Sequence, residues 1–131
     1  MEFTFTPIGR MRVYAQNIPR HWSISDIEGE LIINSDMIPG IRDIVPGQRL
    51  VVIFAFDRSR LFAEQDLIQK PPHKEEYLGV FSTCSPIRPN PVGMSVLKVL
   101  KVQGSKIRVR GVDMLDGTPI LDIKPYIPAE V

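Results

Sequence analysis

Short runs of alternating apolar and polar side chains, rather than long helical stripes, pattern this chain. From Phe3 to Tyr14, Phe3 and Phe5 share one side, and Met11 and Val13 are set against Arg10 and Arg12. Pro7 has no N–H to give a ladder, so an edge or bulged strand is predicted there. Ile27, Gly29, Leu31 and Ile33 alternate with Asp26, Glu28, Glu30 and Ile32, which predicts a half-buried strand. Leu50 to Phe56 is apolar at both parities and predicts a central strand covered on both faces. Arg58 to Lys70 predicts a short helix through Leu61, Phe62, Gln65 and Ile68, stopped by Pro71-Pro72 and followed by a polar loop to Glu76. Val92 to Val102 and Lys106 to Val112 predict a strand pair turned by Gln103-Gly104-Ser105. Asp116-Gly117 turns again into a last strand, Ile120 to Ile127. There a period of two sets Leu121, Ile123 and Ile127 against Asp122, Lys124 and Tyr126. The fold class that follows is mainly β: a single compact β-barrel with short helices and long loops.

Composition narrows the picture. A chain of 131 residues predicts one domain spanning 1–131, large enough to bury roughly two-thirds of its unfolded surface. No apolar run approaches the ~20 residues of a membrane span, and the first residues lack the basic start and apolar core of a signal peptide. One cysteine, Cys84, excludes an internal disulfide and suits a reducing, cytoplasmic setting. With only His21 and His73 besides, no zinc set is expected. The net charge of +1 announces no strong nucleic-acid field, although residues 84–131 carry 7 basic and 4 acidic side chains against 9 and 11 before them.

The chemistry concentrates between Gly79 and Tyr126. Pro86, Pro89 and Pro91 fix their own φ angles, remove three donors and push the residues before them toward extended conformations. The result is a stiff loop with carbonyls left to accept, presenting Arg88 and Asn90. Arg88 is the obvious donor for a carboxylate or phosphate, because its planar fork binds bidentately; a plain surface ion pair is the alternative. Asp116-Gly117-Thr118-Pro119 is by default a turn, and Asp122 and Lys124 could simply pair across a strand face. No Gly-x-Gly-x-x-Gly or Gly-Lys-Ser/Thr loop occurs, and neither Ser82, Ser85 nor Cys84 has a histidine near it in sequence. Spacing alone supports a ligand pocket in a small barrel.

Those residues also carry a family signature. Ser82-Thr83-Cys84-Ser85-Pro86-Ile87-Arg88-Pro89-Asn90-Pro91-Val92-Gly93-Met94-Ser95 resembles the Thr-Arg-Ser-Pro-x-Arg-Pro-Asn-Pro-x-Gly-x-Ser motif of the TrmO/TsaA-like family. Leu115-Asp116-Gly117-Thr118-Pro119-Ile120-Leu121-Asp122-Ile123-Lys124-Pro125-Tyr126 resembles its second motif, and Ile8-Gly9, Arg12, Pro19-Arg20 and Pro71-Pro72 its weaker landmarks. At position 84 the family usually has Arg where this chain has Cys.

The resemblance implies a barrel-type, non-Rossmann methyltransferase that uses S-adenosyl-L-methionine, works as a homodimer with cofactor at the subunit interface, and methylates N6 of threonylcarbamoyl-modified adenosine 37 in tRNA. Cofactor binding would draw on Thr83, Cys84, Arg88, Leu115, Asp116, Gly117, Thr118 and Pro119, with Arg12, Val13, Tyr14, Gln48 and Arg49. Asn90 or Asp122 would accept from the reacting amine, while Lys124 and Tyr126 would steer an anionic substrate group. Larger bacterial relatives carry a C-terminal extension, so here tRNA contacts are expected from the barrel and its mate. Cofactor binding without transfer, favoured by Cys84, and a non-catalytic RNA-binding module built on Arg20, Lys98, Lys101, Lys106, Arg108 and Arg110 are the alternatives. Aromatics at 8% are few for stacking platforms.

Overall fold

The structure, a computed structural model, describes residues 1–128; residues 129–131 of the expected domain lie outside the described residues. Six antiparallel strands close on one another in the order β1, β2, β7, β6, β3, β8. They are β1 (Gly9–Arg12), β2 (Glu28–Ile33), β3 (Arg49–Ala55), β6 (Val92–Gln103), β7 (Lys106–Arg110) and β8 (Pro119–Pro125). A separate two-stranded ribbon, β4 (Ile68–Gln69) with β5 (Leu78–Gly79), belongs to the long connection between β3 and β6. Closure leaves no barrel edge to protect, and it makes the period-two pattern decisive. The inward set includes Met11, Leu31, Leu50, Val52, Leu97, Ile107, Val109 and Ile120, each almost fully buried in one continuous core. Among the described residues no helix is long and apolar enough to cross a membrane.

Four expectations are corrected. Only Gly9–Arg12 of the first predicted strand is a strand, and Phe3 and Phe5 are 77% and 71% exposed. Pairing begins where partners exist: the Ile8 amide donates to the Ile120 carbonyl, and the Asn34 amide to the Ile8 carbonyl. Pro7 can only accept, from Asn34 Nδ2. Second, β3 is central in pairing, between β6 and β8, but its burial alternates, with Leu50, Val52 and Phe54 inside and Val51, Ile53 and Ala55 half-buried outside. A barrel wall has only one dry face, so the apolar outer residues need another explanation.

Third, residues 58–70 form no α-helix. Glu64–Leu67 makes a single 3-10 turn and the chain then enters β4. Asp66 is the reason: it takes two 2.7 Å hydrogen bonds from the Arg60 guanidinium and one from the Ala63 amide at 2.9 Å. These bonds tie the segment into a compact hook.

Fourth, the last strand is re-aimed by a bulge. Ile53 pairs with Asp122 but Phe54 with Ile120, so Leu121 is the extra residue. Ile120 and Ile123, three apart, therefore both reach the core, and the strand ends at Pro125, short of Tyr126 and Ile127.

Candidate functional site

A cavity of about 220 Å³ opens at the end of the barrel where β3 exits. Pro86 of the proline loop lines it together with Met114, Leu115 and Thr118 of the Asp-Gly bend, Phe54 to Ser59, and the half-buried Asp113. The two long sequence motifs thus meet across one cleft.

The bend is fixed from three directions. Gly117 has φ +81°, a conformation glycine adopts without strain. The Gly117 amide donates to the Met11 carbonyl at 2.7 Å, and the Met11 amide to the Thr118 carbonyl at 2.9 Å. The Val13 amide donates to Asp116 Oδ1 at 2.9 Å. This bond brings the end of β1, with Val13 buried and Arg12 stacked 5.4 Å over the exposed Tyr14 ring, against residues 115–119. Arg58 closes the arrangement, its Nη2 donating to the Asp116 carbonyl at 2.6 Å and to Thr118 Oγ1 at 3.3 Å, while its Nε pairs with Asp57.

The proline loop behaves differently from expectation. Arg88 Nη1 donates to the carbonyls of Thr83 (3.0 Å) and Ser85 (3.1 Å). The prolines removed donors and left carbonyls wanting partners; the nearest cation satisfied two of them. Arg88 therefore braces the loop from within. Thr83 is held the same way, donating to the Val80 carbonyl, while Cys84 and Asn90 are exposed. None of these four lines the cavity.

The remaining predicted residues lie elsewhere. Gln48 and Arg49 enter β3 at the end opposite its exit, about 20 Å away at ~3.3 Å per residue. Tyr126 is beside them, its amide donating to the Arg49 carbonyl. Asp122 and Lys124 form a 2.5 Å ion pair on the outer wall, about half exposed and so worth under ~1 kcal/mol. Gln48, Asp122 and Lys124 help line a second cavity of about 320 Å³. One chain does not bring these five to the first cleft.

Three charged cavity residues were not singled out from the sequence. Asp57 and Arg58 are the first polar residues after the apolar run ending at Phe56, at the mouth of the barrel. Asp113 is an acid between the buried Val112 and Met114. Its carboxylate accepts from Ser95 Oγ at 2.5 Å, and Ser95 is itself wholly buried. Burial pushes Asp113 above the usual carboxylate range, against the opposing effects of the Ser95 hydrogen bond, its own backbone, His21 and the Trp22 backbone.

The model of the tRNA-methyltransferase O N-terminal domain matches residues 13–130. The chain belongs to that family. The TrmO of Pseudomonas aeruginosa superposes on 98% of this chain with a TM-score of 0.75 at 28% identity, this chain covering 57% of it. A Pyrococcus abyssi protein named a probable S-adenosyl-L-methionine-binding protein is 42% identical over 79% of this chain and 54% of its own length. The mouse tRNA (adenine(37)-N6)-methyltransferase is 45% identical over 58% of this chain and 18% of its own. The chain thus spans about half, or less, of the length of these relatives.

Proposed function

We infer that this barrel transfers a methyl group from S-adenosyl-L-methionine to N6 of threonylcarbamoyl-modified adenosine 37 of tRNA, in the cytoplasm, as a single-domain homodimer. The observation that carries the reading is the single cleft shared by the proline loop and the Asp-Gly bend, in a chain of this family. Its residues suit the cofactor: Phe54, Phe56, Met114 and Leu115 offer apolar walls for the adenine and the methylene chain, and Arg58 a cation for a carboxylate. A bound sulfonium supplies an activated methyl whose leaving group departs uncharged. The chain's own work is to hold the acceptor nitrogen in line, a positional effect worth up to several kcal/mol.

Size supports the dimer. The cleft falls below the ~300–1,000 Å³ typical of ligand pockets, so a second surface is needed to enclose cofactor and base together. On the outer wall Ile53 pairs with Met94, which is 51% exposed, and Val92 is 40% exposed. An apolar outer face of this kind is what an interface between copies would cover.

The test incubates the full chain with S-adenosyl-L-methionine and tRNA from cells lacking this protein, then digests and weighs the nucleosides. A methyl gained on the threonylcarbamoyl adenosine is expected. Cofactor-induced thermal stabilisation without that gain would replace the reading with cofactor binding alone, which the exposed Cys84 favours.

A further inference from the structure

We propose that Asp113 is the proton acceptor for the amine being methylated, presented on the cavity wall by Ser95. The proposal rests on the reading above and names a residue for its least defined step. An exocyclic nitrogen joined to a carbamoyl group has a delocalised lone pair and a comparatively acidic N–H. An acceptor at that proton should therefore matter more than for a simple amine. Of the acids first considered for this role, Asp122 is paired with Lys124 outside the cleft. The carboxylates that line the cleft are Asp57 and Asp113.

They differ as bases. Asp57 is exposed and already engaged by the Arg58 guanidinium. Asp113 is half-buried between two buried apolar residues, and desolvation makes its carboxylate more basic. Proton-transfer catalysis is most effective when the acceptor's basicity approaches the working pH. Ser95 sits inside the barrel on β6, opposite Val52, where an apolar residue would be expected. Its hydroxyl donates to Oδ1 and fixes the rotation of the carboxylate.

The step balances. As the nitrogen–carbon bond forms and the carbon–sulfur bond breaks, its electron pair stays on sulfur. Asp113 takes the N6 proton and then releases it to water.

Asp113→Asn keeps the shape and can still accept from Ser95, but it loses basicity. Turnover at pH 7 is expected to fall ~10²–10³-fold with cofactor affinity changed less than about threefold. The acid limb of wild-type turnover should flatten in the variant. The groups facing Asp113 are His21, whose protonated form would favour the carboxylate, and Asp57 and Arg58 in the same cavity. Removing the His21 contribution with His21→Gln should move the acid limb to higher pH without abolishing it. Ser95→Ala should lower turnover less than Asp113→Asn.

A readout independent of turnover accompanies these. The Asp113 carboxyl carbon, followed by NMR in the free protein, should titrate above the usual carboxylate range. Because protonation of such a group favours the fold, Asp113→Asn should melt no lower than wild type at pH 7. Asp113→Asn turnover within threefold of wild type, an unchanged acid limb, or an ordinary Asp113 titration overturns the proposal. A wild-type chain that transfers no methyl overturns the earlier reading too, and the wild-type rate tells the two failures apart.

Discussion

Gly93 sits in the proline motif, yet its reason is steric. A Cβ built there would overlap the Phe54 ring and stand 2.8 Å from Phe56 Cζ. The rings pack edge to face at 5.1 Å, and Phe54 is 4% exposed, so its ring cannot swing aside into solvent without opening the core. Gly93→Ala therefore overpacks, at about 1–3 kcal/mol, and regains up to ~1 kcal/mol from the reduced freedom of the unfolded chain. A net loss of about 1–2 kcal/mol corresponds to a Tm lower by about 3–10 °C for a chain this size. The cause can be isolated. Phe54→Leu alone leaves a gap and also destabilises, but in Gly93→Ala/Phe54→Leu the new methyl fills part of it. A double-mutant cycle by thermal or urea unfolding should give a favourable coupling of about 1 kcal/mol or more. Additive effects, or a Gly93→Ala protein melting within 1 °C of wild type, would refute the steric argument.

The other predictions touch separate parts of the molecule. Arg58→Ala removes a 2.6 Å charge-assisted bond to the Asp116 carbonyl and should weaken S-adenosyl-L-methionine binding about tenfold by calorimetry, some 1.5 kcal/mol; unchanged affinity would take Arg58 out of the site. Met94→Glu places a charge on the apolar outer wall and should shift the protein from dimer to monomer in sedimentation, with no more than a small Tm change in the monomer. Hydrogen bonds from Arg60 and Ala63 hold Asp66 at about 2, below its ordinary 3.8. The hook's contribution is thus complete above pH ~4 and lost as pH falls toward 2. The protection factor of the Ala63 amide should fall over that window, and Asp66→Asn should remove that fall.

What the sequence determined by itself is what local pattern encodes. Alternation at Leu31 and Ile33 located a strand, Gln103-Gly104-Ser105 and Asp116-Gly117 located turns, and two motifs named the family. The structure alone decided which polar groups found partners. Arg88 reads as a ligand donor, and only the structure shows its Nη1 also bracing two of the carbonyls freed by the prolines. Asp66 reads as a helical residue until Arg60 folds back onto it, and Leu121 keeps its period-two phase until β3 imposes a bulge. Gln48 and Asp116, both expected at one site, lie at opposite ends of the barrel because strand direction, invisible in composition, sets which loops share a rim. Asp57, Arg58 and Asp113 become a site only when closure carries the exit of β3 beside the entry to β8. Periodicity reports which side of a wall a residue faces, whereas the meeting of distant segments depends on strand order and register, which hydrogen bonding fixes only in the closed barrel.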